Sequence, residues 1–168
     1  MFAGKSESLR QIVETSVPGT CGAFKPSTDT RDAPEEFVTH DGHHVPCACV
    51  QTAGDILTLS RDAGLKRVCI EEAQFFGPAV IQVCRELSDG GVDVFVSCLD
   101  MDSNRLPFGC IGDLMAVADR VVKLRSRCAV CGGPATYSRR KVAVASQTFI
   151  GGEESYEPRC GTCWGGEP

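Results

Sequence analysis

The sequence predicts an α/β protein, in which a parallel sheet with helices on both faces is followed by a small metal-binding domain. Short apolar strands alternate with amphipathic helices over most of the chain, a pattern typical of a parallel sheet with helical crossovers. The run 92–100 is almost continuously apolar, as expected for a strand covered on both faces. From residue 127 the chain is rich in Gly and Cys and lacks helical periodicity. We therefore expect an α/β domain over 1–126 and a second domain over 127–168.

The first half of the chain alternates helix and strand. Apolar residues recur at helical spacing after Ser6 and end at Pro18-Gly19, which predicts the first helix. A strand is predicted over 21–26. The stretch 27–46 is rich in Asp, Thr, Pro and His and is expected to be a long loop. A second helix is predicted around Ile56 and Leu57.

The second half continues the alternation. The apolar stretch 67–72 predicts a strand that ends in two acids. A third helix around Val80 and Leu87 is predicted to stop at Gly90-Gly91. After the strand 92–100, a short helix is expected around Leu114, and the segment 120–124 predicts a further strand.

Composition excludes several classes of function. The net charge is −5, and a mildly acidic protein offers no general surface for nucleic acid or membranes. No apolar run is long enough to span a bilayer, and because charged residues lie near the start we expect no signal peptide. Eleven cysteines without such a signal indicate a reducing compartment, and so a cytoplasmic protein. The segment 120–152 holds seven Lys and Arg and no acid, which suits either an anionic ligand or a solvated basic face.

The strongest single motif is a double pair of cysteines, Cys128-x-x-Cys131 and Cys160-x-x-Cys163. Each pair can form a tight knuckle, and two knuckles supply the four sulfurs of a tetrahedral zinc site. Four thiolates leave no position for water, so the zinc would be structural. The 28 residues between the pairs exceed the usual spacing of a zinc ribbon and predict a loop held between the knuckles. The alternative is four unrelated buried or free cysteines.

A second motif indicates a nucleotide site. Gly4-Lys5-Ser6 is the end of a phosphate-binding loop and leads directly into the first helix. There Lys5 would reach the β- and γ-phosphates of a nucleotide, and the Ser6 hydroxyl would bind Mg²⁺. Glu71 and Glu72 lie at the carboxyl end of a predicted strand, where such sheets carry a metal-directed acid. The alternatives are a chance turn for the first motif and a helix cap for the two acids.

Seven segments, in order, resemble the type II, zinc-containing thymidine kinase family. They are MFAGKS, FKPSTDTR, THDG, IEEAQFF, LDMDS with LPFG, AVCGGPATYS and IGGEESYEPRCGTC. The resemblance covers nearly the whole chain and implies a P-loop NTPase-like sheet with a zinc-ribbon-like lasso domain. It also implies transfer of the γ-phosphoryl group of ATP to the 5′-hydroxyl of thymidine, giving dTMP for DNA precursor salvage. A homotetramer with feedback by dTTP would be typical of the family.

The resemblance also assigns roles to residues. Glu72 matches the general base and Glu71 a position near Mg²⁺, while Asp29 and Arg31 match positions that approach the phosphates and the metal. The positions that match the thymine pocket and its lasso loop are Met1, Phe75, Leu99, Phe108, Ile150 and Tyr156. Apolar and aromatic walls suit a flat base, although without the resemblance core packing would be the simpler interpretation of Phe75 and Leu99.

The sequence departs from the family pattern at the proposed site. Glu71 stands where the family has Asp, Ser103 where it has a Phe of the pocket wall, and Asp32 where it has Tyr. The family also has Gly-x and a strand before the match to MFAGKS, so the sheet is expected to lack its first strand here. We therefore expect either an upstream start or a trimmed sequence. If Met1 is the true start, the phosphate loop is incomplete and activity would suffer.

Two other functions remain open from the sequence alone. One is a catalytically impaired homologue that binds nucleosides or nucleotides. The other is a zinc-ribbon module that binds nucleic acid through the basic segment, although few aromatic residues are interleaved there.

Overall fold

The computed structural model describes residues 2–143 and 149–165 of the 168-residue chain. Among them, a four-stranded parallel sheet of order β4-β1-β5-β6 forms the centre. The strands are, in chain order, β1 Cys21–Pro26, β2 Glu36–Val38, β3 His44–Pro46, β4 Ala48–Val50, β5 Arg67–Ile70, β6 Asp93–Val96, β7 Ser126–Arg127, β8 Pro134–Ala135, β9 Tyr137–Arg140 and β10 Tyr156–Arg159. The α/β class with a parallel sheet is confirmed.

In the part of the chain that the structure describes, four α-helices lie where the sequence predicts them. They are α1 Lys5–Thr15, α2 Ala53–Asp62, α3 Ala79–Asp89 and α4 Ile111–Val117. The start of α2 is fixed by a capping box in which the Thr52 hydroxyl accepts from the Asp55 N–H and the Asp55 carboxylate accepts from the Thr52 N–H.

Both faces of the sheet are covered, because successive strand residues point to opposite sides. On one face Phe24, Val68 and Ile70 pack against α2, α3 and α4. On the other, Cys69 packs with Leu9 of α1 and with the β2–β3 hairpin. The predicted arrangement of helices on both faces is therefore confirmed.

Three element predictions are wrong in detail. The expected loop 27–46 contains the antiparallel hairpin β2–β3. The run 92–100 forms only the four-residue strand β6 at the edge of the described sheet, where Val94 and Val96 pack on one face and Phe95 on the other, so both faces are covered although these side chains are only half-buried. The segment 120–124 is not a strand and lies exposed, because no neighbouring strand in the described residues pairs with it.

The C-terminal region is built from two small antiparallel ladders. β7 pairs with β8, and β9 pairs with β10. Arg159 of β10 is fully buried and ties this region together, since it pairs with Glu157 at 2.5 Å and donates to the Cys163 carbonyl at 3.1 Å. The expected boundary between 126 and 127 falls inside β7 and remains a prediction.

A search of the described residues for a membrane-spanning helix finds none of sufficient length and apolar character.

Candidate active site

The phosphate-binding motif forms the start of α1. Gly4 precedes the helix with φ 78° and ψ 23°, a left-handed conformation that favours glycine. Among the described side chains none caps this end of α1. The N–H groups of its first turn therefore remain available to an anion, which the helix dipole also favours.

Glu71 and Glu72 follow β5 rather than ending it. The strand stops at Ile70, and Glu72 adopts a left-handed backbone with φ 50° and ψ 46°. Such a conformation is uncommon for a residue other than glycine and is concentrated at functional sites. Both carboxylates are buried, so each needs specific partners.

The Glu71 carboxylate faces the phosphate-binding motif. Its Oε1 accepts a hydrogen bond from the Ser6 hydroxyl at 2.5 Å. Its Oε2 and the nearby Ser97 Oγ are buried without a hydrogen-bond partner in the described part of the chain. Burial and the charge of Glu72 raise the pKa of Glu71, against the opposing effects of Lys5, Ser6 and the Ser97 hydroxyl, which lies near Glu71 but outside hydrogen-bond geometry. A buried, unsatisfied carboxylate oxygen beside a hydroxyl suits a bound cation.

The Glu72 carboxylate is held by two donors. Its Oε1 accepts from Arg31 Nη2 at 2.9 Å, and its Oε2 accepts from the Gln74 amide. Burial alone would raise its pKa, but the charges of Lys5 and Arg31 and these hydrogen bonds outweigh burial and lower it. The Gln74 carbonyl oxygen in turn accepts from the Leu99 N–H at 3.1 Å. Glu72 is therefore ionised and fixed in orientation.

Arg31 connects Glu72 to the loop after β1. Its guanidinium binds the Asp29 carboxylate through two hydrogen bonds of 2.7 and 2.6 Å. Burial would raise the pKa of Asp29, yet the Arg31 guanidinium holds it below its ordinary value. Paired, fork-like contacts of this kind fix a guanidinium in one position.

Two cavities open on either side of the Glu71–Glu72 pair. The polar cavity is lined by Ser6, Asp29, Arg31, Asp32, Phe37, Val38 and Glu71. The aromatic cavity is lined by Arg31, Glu72, Phe75, Leu99, Met101, Asp102, Ser103, Phe108, Ser138, Arg140, Phe149, Ile150, Gly151 and Tyr156. Arg31 lines both cavities, so one side chain joins them. The carboxylates are thus separated, with Glu71 at the polar cavity and Glu72 at the aromatic one.

The loop 149–156 closes one side of the aromatic cavity. The Tyr156 hydroxyl donates to the Phe149 carbonyl at 2.6 Å, and the Tyr156 N–H donates to the Gly152 carbonyl at 3.0 Å. Phe75 and Phe108, which also line this cavity, pack edge to face with ring centroids 6.0 Å apart. Such rigid aromatic walls suit a flat ring system.

The four predicted zinc ligands meet in one cluster. The sulfur atoms of Cys128, Cys131, Cys160 and Cys163 all lie within 4.8 Å of one another. Cys131 Sγ and Cys160 Sγ are 3.8 Å apart, which matches the edge of a tetrahedron with Zn–S bonds of about 2.3 Å. Backbone N–H groups of Cys131 and Cys160 lower the pKa of Cys128 to about 6 and so favour its thiolate. The cluster could therefore hold a metal ion such as zinc.

Comparison with known proteins gives the family. The family model described as thymidine kinase matches residues 1–164. This chain belongs to the thymidine kinase family. It is similar to a protein named thymidine kinase from Bacteroides thetaiotaomicron, at 37% identity over 98% of this chain and 82% of that protein. It is also similar to proteins of the same name from Porphyromonas gingivalis (39% identity, 98% and 80% covered) and Mesomycoplasma hyopneumoniae (36%, 97% and 90%).

The family membership confirms the predicted resemblance and makes this chain a kinase. The structure brings together most of the site residues expected for a thymidine kinase, although their individual roles remain predictions. Phe75, Leu99, Phe108, Ile150 and Tyr156 all line the aromatic cavity. Met1, also expected there, lies outside the described residues.

Several residues that line or support the two cavities were not predicted from the sequence. Gln74 follows Glu72 by two positions, and only the fold shows that it holds that carboxylate. Arg140 lines the aromatic cavity, with its guanidinium 5.6 Å from the Tyr156 ring centroid and 5.8 Å from that of Phe149. Phe149 directly precedes the recognised lasso segment, so a wider segment would have included it.

The three positions expected to depart from the thymidine kinase pattern all line a cavity. Ser103 belongs to the aromatic cavity, and Asp32 and Glu71 belong to the polar one. Asp32 has a structural contact of its own, because its carboxylate accepts the Val38 N–H at 2.9 Å. This hydrogen bond attaches the loop after β1 to the β2–β3 hairpin.

Proposed function

We propose that this thymidine kinase family member transfers the γ-phosphoryl group of ATP to the 5′-hydroxyl of thymidine. The observation that carries the proposal is the pair of cavities that share Arg31 and are divided by two buried carboxylates. One cavity has the chemistry for phosphates and a cation, and the other has the walls for a base. A transfer reaction needs both substrates in adjacent places, and this arrangement supplies them.

The polar cavity would receive the triphosphate. The N-terminus of α1 and Lys5 would bind phosphate oxygens, and Asp29 would keep Arg31 oriented toward them. Ser6 and Glu71 fit a Mg²⁺ ion, since Glu71 Oε2 is buried and otherwise unsatisfied among the described residues. When bound with ATP, Mg²⁺ neutralises charge on the phosphates.

The aromatic cavity would receive thymidine with its 5′-hydroxyl toward Glu72. In the transfer step the hydroxyl oxygen forms a bond to the γ-phosphorus while the bond from that phosphorus to the β-phosphate oxygen breaks. ADP leaves with the electron pair of the broken bond. The hydroxyl proton passes to the Glu72 carboxylate, which Arg31 and Gln74 hold in place. The thymine would lie among Phe75, Phe108 and the lasso loop.

The same geometry supports feedback by dTTP. This nucleotide combines a thymidine and a triphosphate, so it could occupy both cavities at once and exclude both substrates. The homotetramer remains an expectation from the resemblance.

The experiment is a transfer assay with zinc-loaded protein, Mg²⁺ and ATP labelled at the γ-phosphorus. We expect label to appear in dTMP, with thymidine strongly preferred over deoxycytidine, whose amino group replaces a carbonyl on the base edge. Label that stays in ATP, or that is released only as inorganic phosphate, would contradict the proposal.

A further inference from the structure

The loop 101–107 forms one wall of the aromatic cavity and is closed on itself. Met101 and Pro107 form an antiparallel bridge. The Asp102 carboxylate accepts the N–H groups of Asn104 and Leu106 at 2.8 and 2.9 Å. Because these contacts lie within the loop, we expect it to move as one unit when its tip is displaced. Met101, Asp102 and Ser103 line the cavity, whereas Arg105 at the tip does not.

Arg105 reaches away from the cavity onto two aromatic rings. Its guanidinium carbon lies 4.3 Å from the centroid of Tyr137 and 5.7 Å from that of Trp164. The two rings meet edge to face, with centroids 5.5 Å apart and planes at 69°. The distances from the Arg105 guanidinium to the two ring centroids are both within the range of cation–π attraction. Arg105 has φ 66°, a conformation that costs energy in a residue other than glycine and that a stabilising contact must offset.

The rings are placed by the zinc knuckles. Trp164 directly follows the ligand Cys163. Tyr137 is paired with Arg159 in the β9–β10 ladder, one residue before Cys160. A Cβ added to Gly161, inside the second knuckle, would lie 3.8 Å from the Tyr137 ring. The position of both rings therefore depends on how the knuckles are folded.

We propose that Arg105 is a positioning residue that couples the zinc knuckles to the nucleoside-binding wall formed by loop 101–107. The proposal rests on the proposed function of the aromatic cavity. The zinc region then acts on the cavity by two routes, one through the lasso loop 149–156 and one through the stack of Arg105 on Tyr137 and Trp164. Loss of the contact between Arg105 and the two rings frees the tip of loop 101–107 and lets this wall of the cavity move. Glu72 and the polar cavity are not altered by that change.

The test compares Arg105→Ala and Arg105→Lys with wild type. Arg61→Ala is the matched control, because Arg61 is an exposed arginine on α2 whose contact is the surface ion pair with Glu86. Loss of the stack should raise KM for thymidine about two- to fivefold, with kcat and KM for ATP nearly unchanged. Arg105→Lys should recover part of the loss, since it keeps the charge but not the planar contact. Arg61→Ala should behave as wild type.

Trp164 provides a direct signal, because it is the single tryptophan of the chain. Thymidine should change its emission in wild type, and this response should be lost in Arg105→Ala while the zinc content stays the same. Calorimetry measures thymidine affinity independently of turnover. If Arg105→Ala keeps the wild-type affinity, or loses zinc, the coupling is wrong. If wild type itself binds no thymidine, the proposed function fails instead.

Discussion

Two adjacent glutamates in this chain have different surroundings. Glu71 accepts from Ser6 and retains an unsatisfied oxygen, whereas both oxygens of Glu72 are bound by Arg31 and Gln74. The pKa of Glu71 is raised and that of Glu72 is lowered. Pairs of carboxylates whose environments separate their pKa values commonly divide the chemical roles between them. We therefore expect substitution of each to give a different defect.

For Glu71 the expected defect is in metal use. Glu71→Gln keeps the shape of the side chain but removes the charge beside Ser6. The Mg²⁺ concentration needed for half-maximal rate should rise about 10- to 100-fold, as when a carboxylate that supports a metal site is removed. A Mg²⁺ titration at saturating ATP and thymidine measures this shift. The assignment is wrong if the titration curve of Glu71→Gln overlays that of wild type.

The sequence predicted both glutamates but not how the chain separates them. In a continuing strand, alternation would turn them to opposite faces, but β5 ends at Ile70 and the separation arises from the left-handed backbone at Glu72. A single unusual φ angle leaves no periodic signal. Gln74 was not predicted because its contact with Leu99 joins the segments that follow β5 and β6. A contact between distant parts of the chain leaves no pattern in the local sequence.

At the scale of elements, prediction succeeded where local pattern decides the structure. The four helices were predicted because each has a buried face that recurs at helical spacing, and α2 also has a capping box. The hairpin β2–β3 and the strand β4 have three residues per strand, too few for alternation to be recognised. The apolar segment 120–124 was predicted as a strand, but a strand requires a partner to pair with, and pairing is not visible in local sequence.

The lasso loop 149–156 leaves no room for a side chain at Gly151. A Cβ added at Gly151 would lie 2.6 Å from Ser155 Oγ and 2.7 Å from Ser155 Cβ, so the loop must shift. Gly151→Ala should therefore raise KM for thymidine with little change in KM for ATP, at a cost of about 1–3 kcal/mol in loop geometry. Steady-state kinetics with each substrate varied in turn measures the difference.

Gly112→Ala is the control for this change. Gly112 lies in α4 with no heavy atom within 4 Å of an added Cβ, and alanine favours a helix. It should leave both KM values unchanged. Equal effects of the two substitutions on thymidine KM would show that the lasso does not shape the cavity.

On the scale of the whole molecule, the β9–β10 ladder connects the cysteine cluster to the aromatic cavity. β9 and β10 carry cavity residues at one end and adjoin the knuckles at the other, as with Arg140 and Tyr156 of the aromatic cavity. Few large apolar side chains are buried among the described residues of this region, so metal ligation would supply much of its folding free energy.

Zinc binding should require all four cysteines of the cluster. Cys131→Ser should lower the zinc content from about one ion per chain to near zero, because three thiolates and a hydroxyl bind zinc more weakly. It should also lower the melting temperature. Cys49→Ser is the matched control, since Cys49 is likewise exposed but belongs to β4 and not to the cluster. Elemental analysis and thermal unfolding measure both effects, and full zinc retention by Cys131→Ser would contradict a four-cysteine site.

Glu72 is proposed to accept the proton of the thymidine 5′-hydroxyl at the junction of the two cavities. The most direct measurement is kcat for thymidine phosphorylation by Glu72→Gln, taken together with thymidine affinity by calorimetry. A general base contributes about 10²–10⁴-fold to rate, and its loss need not weaken ground-state binding. We therefore predict a fall in kcat of about that size with thymidine affinity nearly unchanged. A near-normal kcat, or a loss that added Mg²⁺ restores, would contradict the account.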